Sequence, residues 1–336
     1  MVRIAFILVL VLLNLPNQLK PEAGVTDANL RGISAVSDQV AWASGTKGTI
    51  LRTTDSGKHW DKVSVPGAEA LDFRDVQGFD EKTAFVLAAG PGEQSRIYKT
   101  EDGGQHWQLQ FTNQEPKAFY DCMAFWDRNH GIALSDAVDG KFLLLSTSDG
   151  KTWSPLNPRT LPAALPNEGA FAASGTCLFT FGKRDAWFVT GGPAARVFHT
   201  SDYGETWTVT NTPILSGEAS QGIFSIVFWT EKDGVIVGGD YKNPTLTEKN
   251  AAFTSDGGKT WTLASKPPSG YRSAVAIDTA SSPPMLVAVG INGVDASKDG
   301  GKTWSSIAPE EYNAISFAKN IGWLVGPQGR MSSRRK

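Results

Sequence analysis

Four carboxylates, Asp136, Asp139, Glu168 and Asp240, fall in loop-like stretches of a β-patterned chain, and Tyr120 and Tyr241 stand near them in sequence or in repeat position. Two carboxyls flanking a glycosidic bond, or a tyrosine nucleophile with a carboxylate helper, are what glycoside hydrolysis requires. Arg31, Arg74, Arg196 and Arg272 offer another capacity. A guanidinium is a planar fork that binds carboxylates and phosphates through two parallel hydrogen bonds. A tyrosine beside it suits a sugar ring or a partner's side chain. The plainer reading of the same residues is mutual pairing: arginines neutralised by Asp136, Asp139, Asp240 or Glu168 around a solvated channel.

Other chemistries lack their residues. The sequence holds no nucleophile elbow, dinucleotide-binding glycine turn, phosphate-binding loop or zinc-protease helix motif. His59, His106, His130 and His199 are dispersed, so no metal site and no cofactor is expected. A net charge of −2 argues against nucleic acid, and the basic tail 332–336 is too short to change that.

The elements that must position these residues announce themselves by repetition. Thr254-Ser-Asp256-Gly-Gly-Lys-Thr-Trp261 recurs around Asp55 and Trp60, Asp102 and Trp107, Asp202 and Trp207, and Asp299 and Trp304. A copy one residue shorter carries Asp149 and Trp153. The copies follow one another at intervals of about 43 to 54 residues, the signature of stacked supersecondary units. Each lies between two short β-rich runs and therefore reads as a hairpin turn. Asp ties nearby backbone amides, Gly takes a positive φ, and Trp re-enters the sheet. The octet needs no substrate to explain it, so these aspartates and tryptophans are structural.

These octets resemble the Asp boxes, or BNR repeats, of sialidases. The chain as a whole resembles the photosystem II stability/assembly factor-like proteins, over about residues 25–330. The six octets carry that likeness, with phrases such as Leu30-Arg-Gly-Ile-Ser-Ala-Val and Gly322-Trp-Leu-Val-Gly326. The resemblance implies a seven-bladed β-propeller that binds partner proteins without catalysis, with disk arginines in the binding. Arg31, Arg74 and Arg272 are the positions here that could take that part. The sialidase phrase Phe/Tyr-Arg-Ile-Pro is missing, which weakens the hydrolase alternative.

Each repeat parses into four strands, A to D, with the octet between C and D. A seventh repeat, from Tyr312, lacks its octet and its D strand. Residues 19–25 are expected to supply that strand and close the ring, leaving no free sheet edge. The fold class is therefore all-β: seven four-stranded antiparallel blades closed by pairing of N- and C-terminal strands. The octets crowd one face of the disk. The D–A crossovers and B–C loops form the other, and function belongs at that mouth. Aligning the second position of each inner strand gives Arg31, Arg74, Tyr120, Gly175, Phe224, Arg272 and Asn313.

Two further expectations concern processing. Arg3 and the ten apolar residues 4–13 read as a signal peptide, too short to span a membrane, and place the boundary at residue 23 with a single propeller domain over 24–336. No cysteine follows the apolar run, which argues against a lipid anchor. The chain is expected to be exported, periplasmic or extracellular, and monomeric. Cys122 and Cys177 occupy the same register in adjacent inner strands; a disulfide is possible there, and two small buried hydrophobes are the alternative. The expected function is a binding or assembly-factor-like module for a protein or glycan. A sialidase-type glycoside hydrolase is the runner-up.

Overall fold

The chain alternates short extended runs with glycine-rich turns, and nearly every run pairs with its neighbour in sequence. In a computed structural model describing residues 19–21, 24–279 and 284–335, these runs form seven four-stranded antiparallel sheets. Six blades are built from consecutive strands. The seventh takes its inner three from Ala314–Phe317, Ile321–Val325 and Met331–Arg335, and its outer strand from Lys20–Pro21, which pairs with Ser332 and Ser333. The ring closes as the missing octet implies. The apolar run 4–13 lies outside the described residues. The closing strand falls inside the segment assigned by sequence to the signal peptide, so a processed chain keeps its closure only if it is cut ahead of Leu19.

Each octet is a hydroxyl-clamped turn. In all six copies the leading Thr or Ser hydroxyl donates to the aspartate Oδ1, as Thr254 does to Asp256 at 2.8 Å. The same hydroxyl accepts the glycine amide, and Asp256 Oδ1 accepts the Thr260 amide at 2.9 Å. Backbone and side-chain donors on His59 and His106 hold the Asp55 and Asp102 carboxyls down to about 2. The backbone amides of Thr152 and Lys151 do the same for Asp149. The tryptophan then folds back: Trp207, Trp261 and Trp304 donate Nε1 to the glycine carbonyl three residues earlier. Its ring packs between blades, as Trp153 does against Phe85 of the preceding blade at 6.5 Å. Burying so large a ring is worth about 3 kcal/mol per turn, so repetition of the octet builds much of the core.

Four inner strands share an irregularity that matters below. Their pairing with the second strand skips one residue: Arg31 between Leu30 and Gly32, Arg74 between Phe73 and Asp75, Asp121 between Tyr120 and Cys122, and Phe224 between Ile223 and Ser225. Such a bulge adds one residue to one strand and re-aims its side chain.

Candidate functional site at the mouth of the channel

The four bulged residues all line one cavity of about 480 Å³, at the end of the channel remote from the octets. Their side chains are two cations, an acid and a phenyl ring. Backbone hydrogen bonds between blades define which positions are equivalent. Leu30, Ile223, Arg272 and Tyr312 each donate their amide to the end of the second strand of the preceding blade, at Gly326, Thr190, Gly238 and Gly290. Arg272 thus occupies the place of Leu30, and Ser273 the place of Arg31.

That equivalence corrects two expected site residues. Arg272 points into its blade, is fully buried, and donates Nε and a terminal nitrogen to Asp295 and others to Asn292, Ser269 and the Tyr271 carbonyl. Tyr120 is likewise turned away, 5.4 Å from Phe111 in a separate groove on the blade edge, and Asp121 takes its place at the mouth. Four other expected members are also engaged elsewhere. Glu168 and Arg196 form a buried ion pair, with Glu168 accepting further bonds from Thr190 and the Leu165 amide. Asp139 sits at an exposed turn with φ of +49° and pairs with Lys117 at 3.0 Å. Asp240 accepts the Lys242 amide and the Gln221 side chain. Arg31, Arg74, Asp136 and Tyr241 do meet at the cavity.

The cavity has one aromatic wall. Phe171, from the long crossover into blade four, stacks on Phe224 at 3.8 Å and 9°, with Tyr241 and Tyr271 edge-on to Phe224. The stack depends on two glycines: a β-carbon on Gly191 would come within 2.4 Å of Phe171 and 2.8 Å of Gly222. Arg74 is aimed by Asp72 at 2.8 Å and the Ala172 carbonyl at 3.2 Å, with its guanidinium 5.9 Å from Phe119. Arg31 is different. Its Nε is buried with no hydrogen-bond partner among the described residues, and burial followed by the Arg74 charge pulls its proton affinity down. Asp121, the buried acid of the same wall, is 2% exposed and its Oδ2 is also unpartnered. Burial, then the neighbouring Asp136, pushes the Asp121 carboxyl well above the usual range. Burial pushes Asp136 up to about 6, against the Ala170 amide it accepts at 2.8 Å.

Cys122 follows Asp121 directly. It is bonded to Cys177 of the next blade, with Cα atoms 6.1 Å apart. Equivalent registers do not keep the sulfurs apart, because neighbouring inner strands converge near the axis to within the span a disulfide needs. Sequence reasoning passed over Asp121, Phe171 and Tyr271. Asp121 stands at the mouth through the strand register, Cys122 opposite Leu134 as Gly32 is opposite Ser44. Phe171 lies in an irregular connection and gave no signal.

Among the described residues no group of three or more His, Cys, Asp or Glu could hold a metal ion, and no helix is long and apolar enough to cross a membrane. No protein-family model matches the chain. The photosystem II assembly lipoprotein Ycf48 of Picosynechococcus sp. is 28% identical over 326 residues, covering 90% of this chain and 84% of the relative. A solved structure of YCF48 bound to D1 peptide superposes with a TM-score of 0.68 at 16% identity, covering 96% of this chain and 95% of that one. A sialidase of Bacteroides fragilis is 26% identical over 232 residues, 63% of this chain and 36% of the enzyme. The chain is thus similar to photosystem II assembly factors in sequence, and shares the propeller fold of YCF48.

Proposed function

We propose that this chain is an exported, non-enzymatic propeller that binds a protein partner at its mouth cavity, with Arg31 and Arg74 as anchors. The observation that carries the reading is Arg31: a guanidinium in the cavity wall whose buried Nε has no partner of its own. A carboxylate brought there gains charge-assisted hydrogen bonds without breaking an existing pair. The aromatic wall adds area that a partner side chain or a sugar ring could cover. The likeness to assembly factors supports a protein over a glycan, and the YCF48 structure holds a peptide. Export rests on the apolar run 4–13 and on the name lipoprotein borne by the relative.

The test is capture of partners by purified wild type and by Arg31→Ala/Arg74→Ala, read by mass spectrometry. Loss of a specific captured protein in the double variant is expected; retention of every captured protein defeats the reading. A second reading has its own observation. Asp121 and Asp136 are neighbouring carboxyls, both held toward the neutral form, in a cavity with two arginines, and one raised carboxyl beside another is a pattern of glycosidases. Release of chromophore from generic glycosides by wild type, abolished in Asp136→Asn, would make the protein an enzyme.

A further inference from the structure

The mouth cavity carries two unsatisfied groups of complementary chemistry, a guanidinium and a carboxyl. Arg31 Nε and Asp121 Oδ2 are both buried, and neither has a hydrogen-bond partner among the described residues. They line the same space and do not pair with each other. Both stand at bulged positions of inner strands, so the backbone holds each at the rim of the channel. A buried polar atom left without a partner is costly, and native chains keep very few. A cluster of acids alone would mean little, but here the unpartnered acid and an unpartnered guanidinium nitrogen line one cavity walled by the Phe171–Phe224 stack.

We propose that the cavity selects a peptide segment in which a carboxylate and a lysine or arginine side chain lie within a few residues of each other. The carboxylate reaches Arg31 and Arg74, and the cationic nitrogen reaches Asp121 and Asp136. This rests on the reading of the mouth as a protein-binding site and adds the acidic half of it. A cation between Asp121 and Asp136 favours the ionised form of two carboxyls that burial and their proximity hold toward the neutral form in the free protein. The residue between the two charged ends crosses the aromatic wall, where an apolar or aromatic side chain packs. The carboxylate could be a chain terminus or an Asp or Glu side chain, and the two sources share the same chemistry.

Fluorescein-labelled eight-residue peptides test this by anisotropy on the full-length protein. One set carries Lys at each of the last five positions in turn with a free terminal carboxylate. A second is amidated with Glu supplying the carboxylate. Each has a counterpart with norleucine in place of Lys. Wild type is expected to bind at least one Lys peptide about tenfold or more tightly than its norleucine counterpart, the worth of one charge-assisted bond. Asp121→Asn and Asp136→Asn should erase that preference and leave norleucine peptides unchanged. Because the decisive comparison changes the peptide and not the protein, a variant that folds poorly does not blunt it. If carboxylate peptides bind with no preference for Lys, the inference is overturned, while the mouth reading survives wherever Arg31→Ala loses them. If no peptide binds wild type, the inference is overturned as well. Free-terminus against amidated peptides then separates the two sources of carboxylate.

Discussion

Asp295 Oδ2 accepts both Nε and a terminal nitrogen of Arg272, deep in blade six and away from the channel. That pairing removes one of three arginines from the mouth and turns it into a structural member. Truncation of one partner strands the other's charge in the interior, at about 3–5 kcal/mol. Arg272→Ala should therefore lower the melting temperature strongly. Arg31→Ala should stay within about 1 kcal/mol of wild type, because no bond is lost. Thermal unfolding of the two variants side by side checks this; equal losses would contradict the assignment.

Glu168 is locked by Arg196, Thr190 and the Leu165 amide, so it is a fastener of the long crossover. Glu168→Gln should cost about 3–5 kcal/mol in urea unfolding, by the same desolvation argument. It should leave peptide binding by the folded fraction intact. A stable Glu168→Gln protein that has lost its partner would instead put Glu168 in the site.

The Cys122–Cys177 bond joins inner strands of adjacent blades beside Asp121. It closes a loop of 55 residues in the unfolded chain, and bonds of this kind contribute about 2–4 kcal/mol. Cys122→Ala/Cys177→Ala should lose that amount in chemical denaturation. Dithiothreitol should destabilise wild type and leave the double variant unmoved.

Asp75 lies inside the channel, accepting the Met123 amide at 2.7 Å, and burial pushes its carboxyl up to about 7. The sign follows from linkage. Below the unfolded value of about 4 both states hold the proton and there is no penalty. Between about 4 and 7 the unfolded chain ionises first, so stability falls as pH rises, and above 7 the loss is complete. Asp75→Asn keeps an acceptor for Met123 and removes the charge. It should exceed wild type by roughly 2–4 kcal/mol at pH 8 and match it near pH 3.5. Parallel stability profiles for the two proteins would refute a titrating Asp75.

How much of this was legible beforehand depends on range. The octets, the blade count and the closing strand are local facts repeated around a ring. Six clamped turns need only Thr or Ser, Asp, Gly and Trp at fixed offsets, and a seventh blade without an outer strand requires one from elsewhere. Strand direction also separates the mouth from the octet face, and Arg31, Arg74, Asp136 and Tyr241 line one cavity there.

The tertiary structure decided which residue of each inner strand faces the axis. Side chains alternate along a strand, so a slip of one residue exchanges channel for blade interior. In blade three the inner strand begins at Tyr120, which stands where Leu30 and Phe73 stand, and in blade six Arg272 takes the Leu30 place; each shifts the face by one residue, and composition does not reveal it. For that reason Tyr120 and Arg272 read as mouth residues in the sequence, where Asp121 and Ser273 stand in the fold. Partner choice was hidden likewise: Arg272 with Asp295, Arg196 with Glu168 and Cys122 with Cys177 are pairs set by close approach in space. Each turn carries its own instructions, so a ring of clamped hairpins can be read from residue order alone; packing settled which charges that ring leaves free.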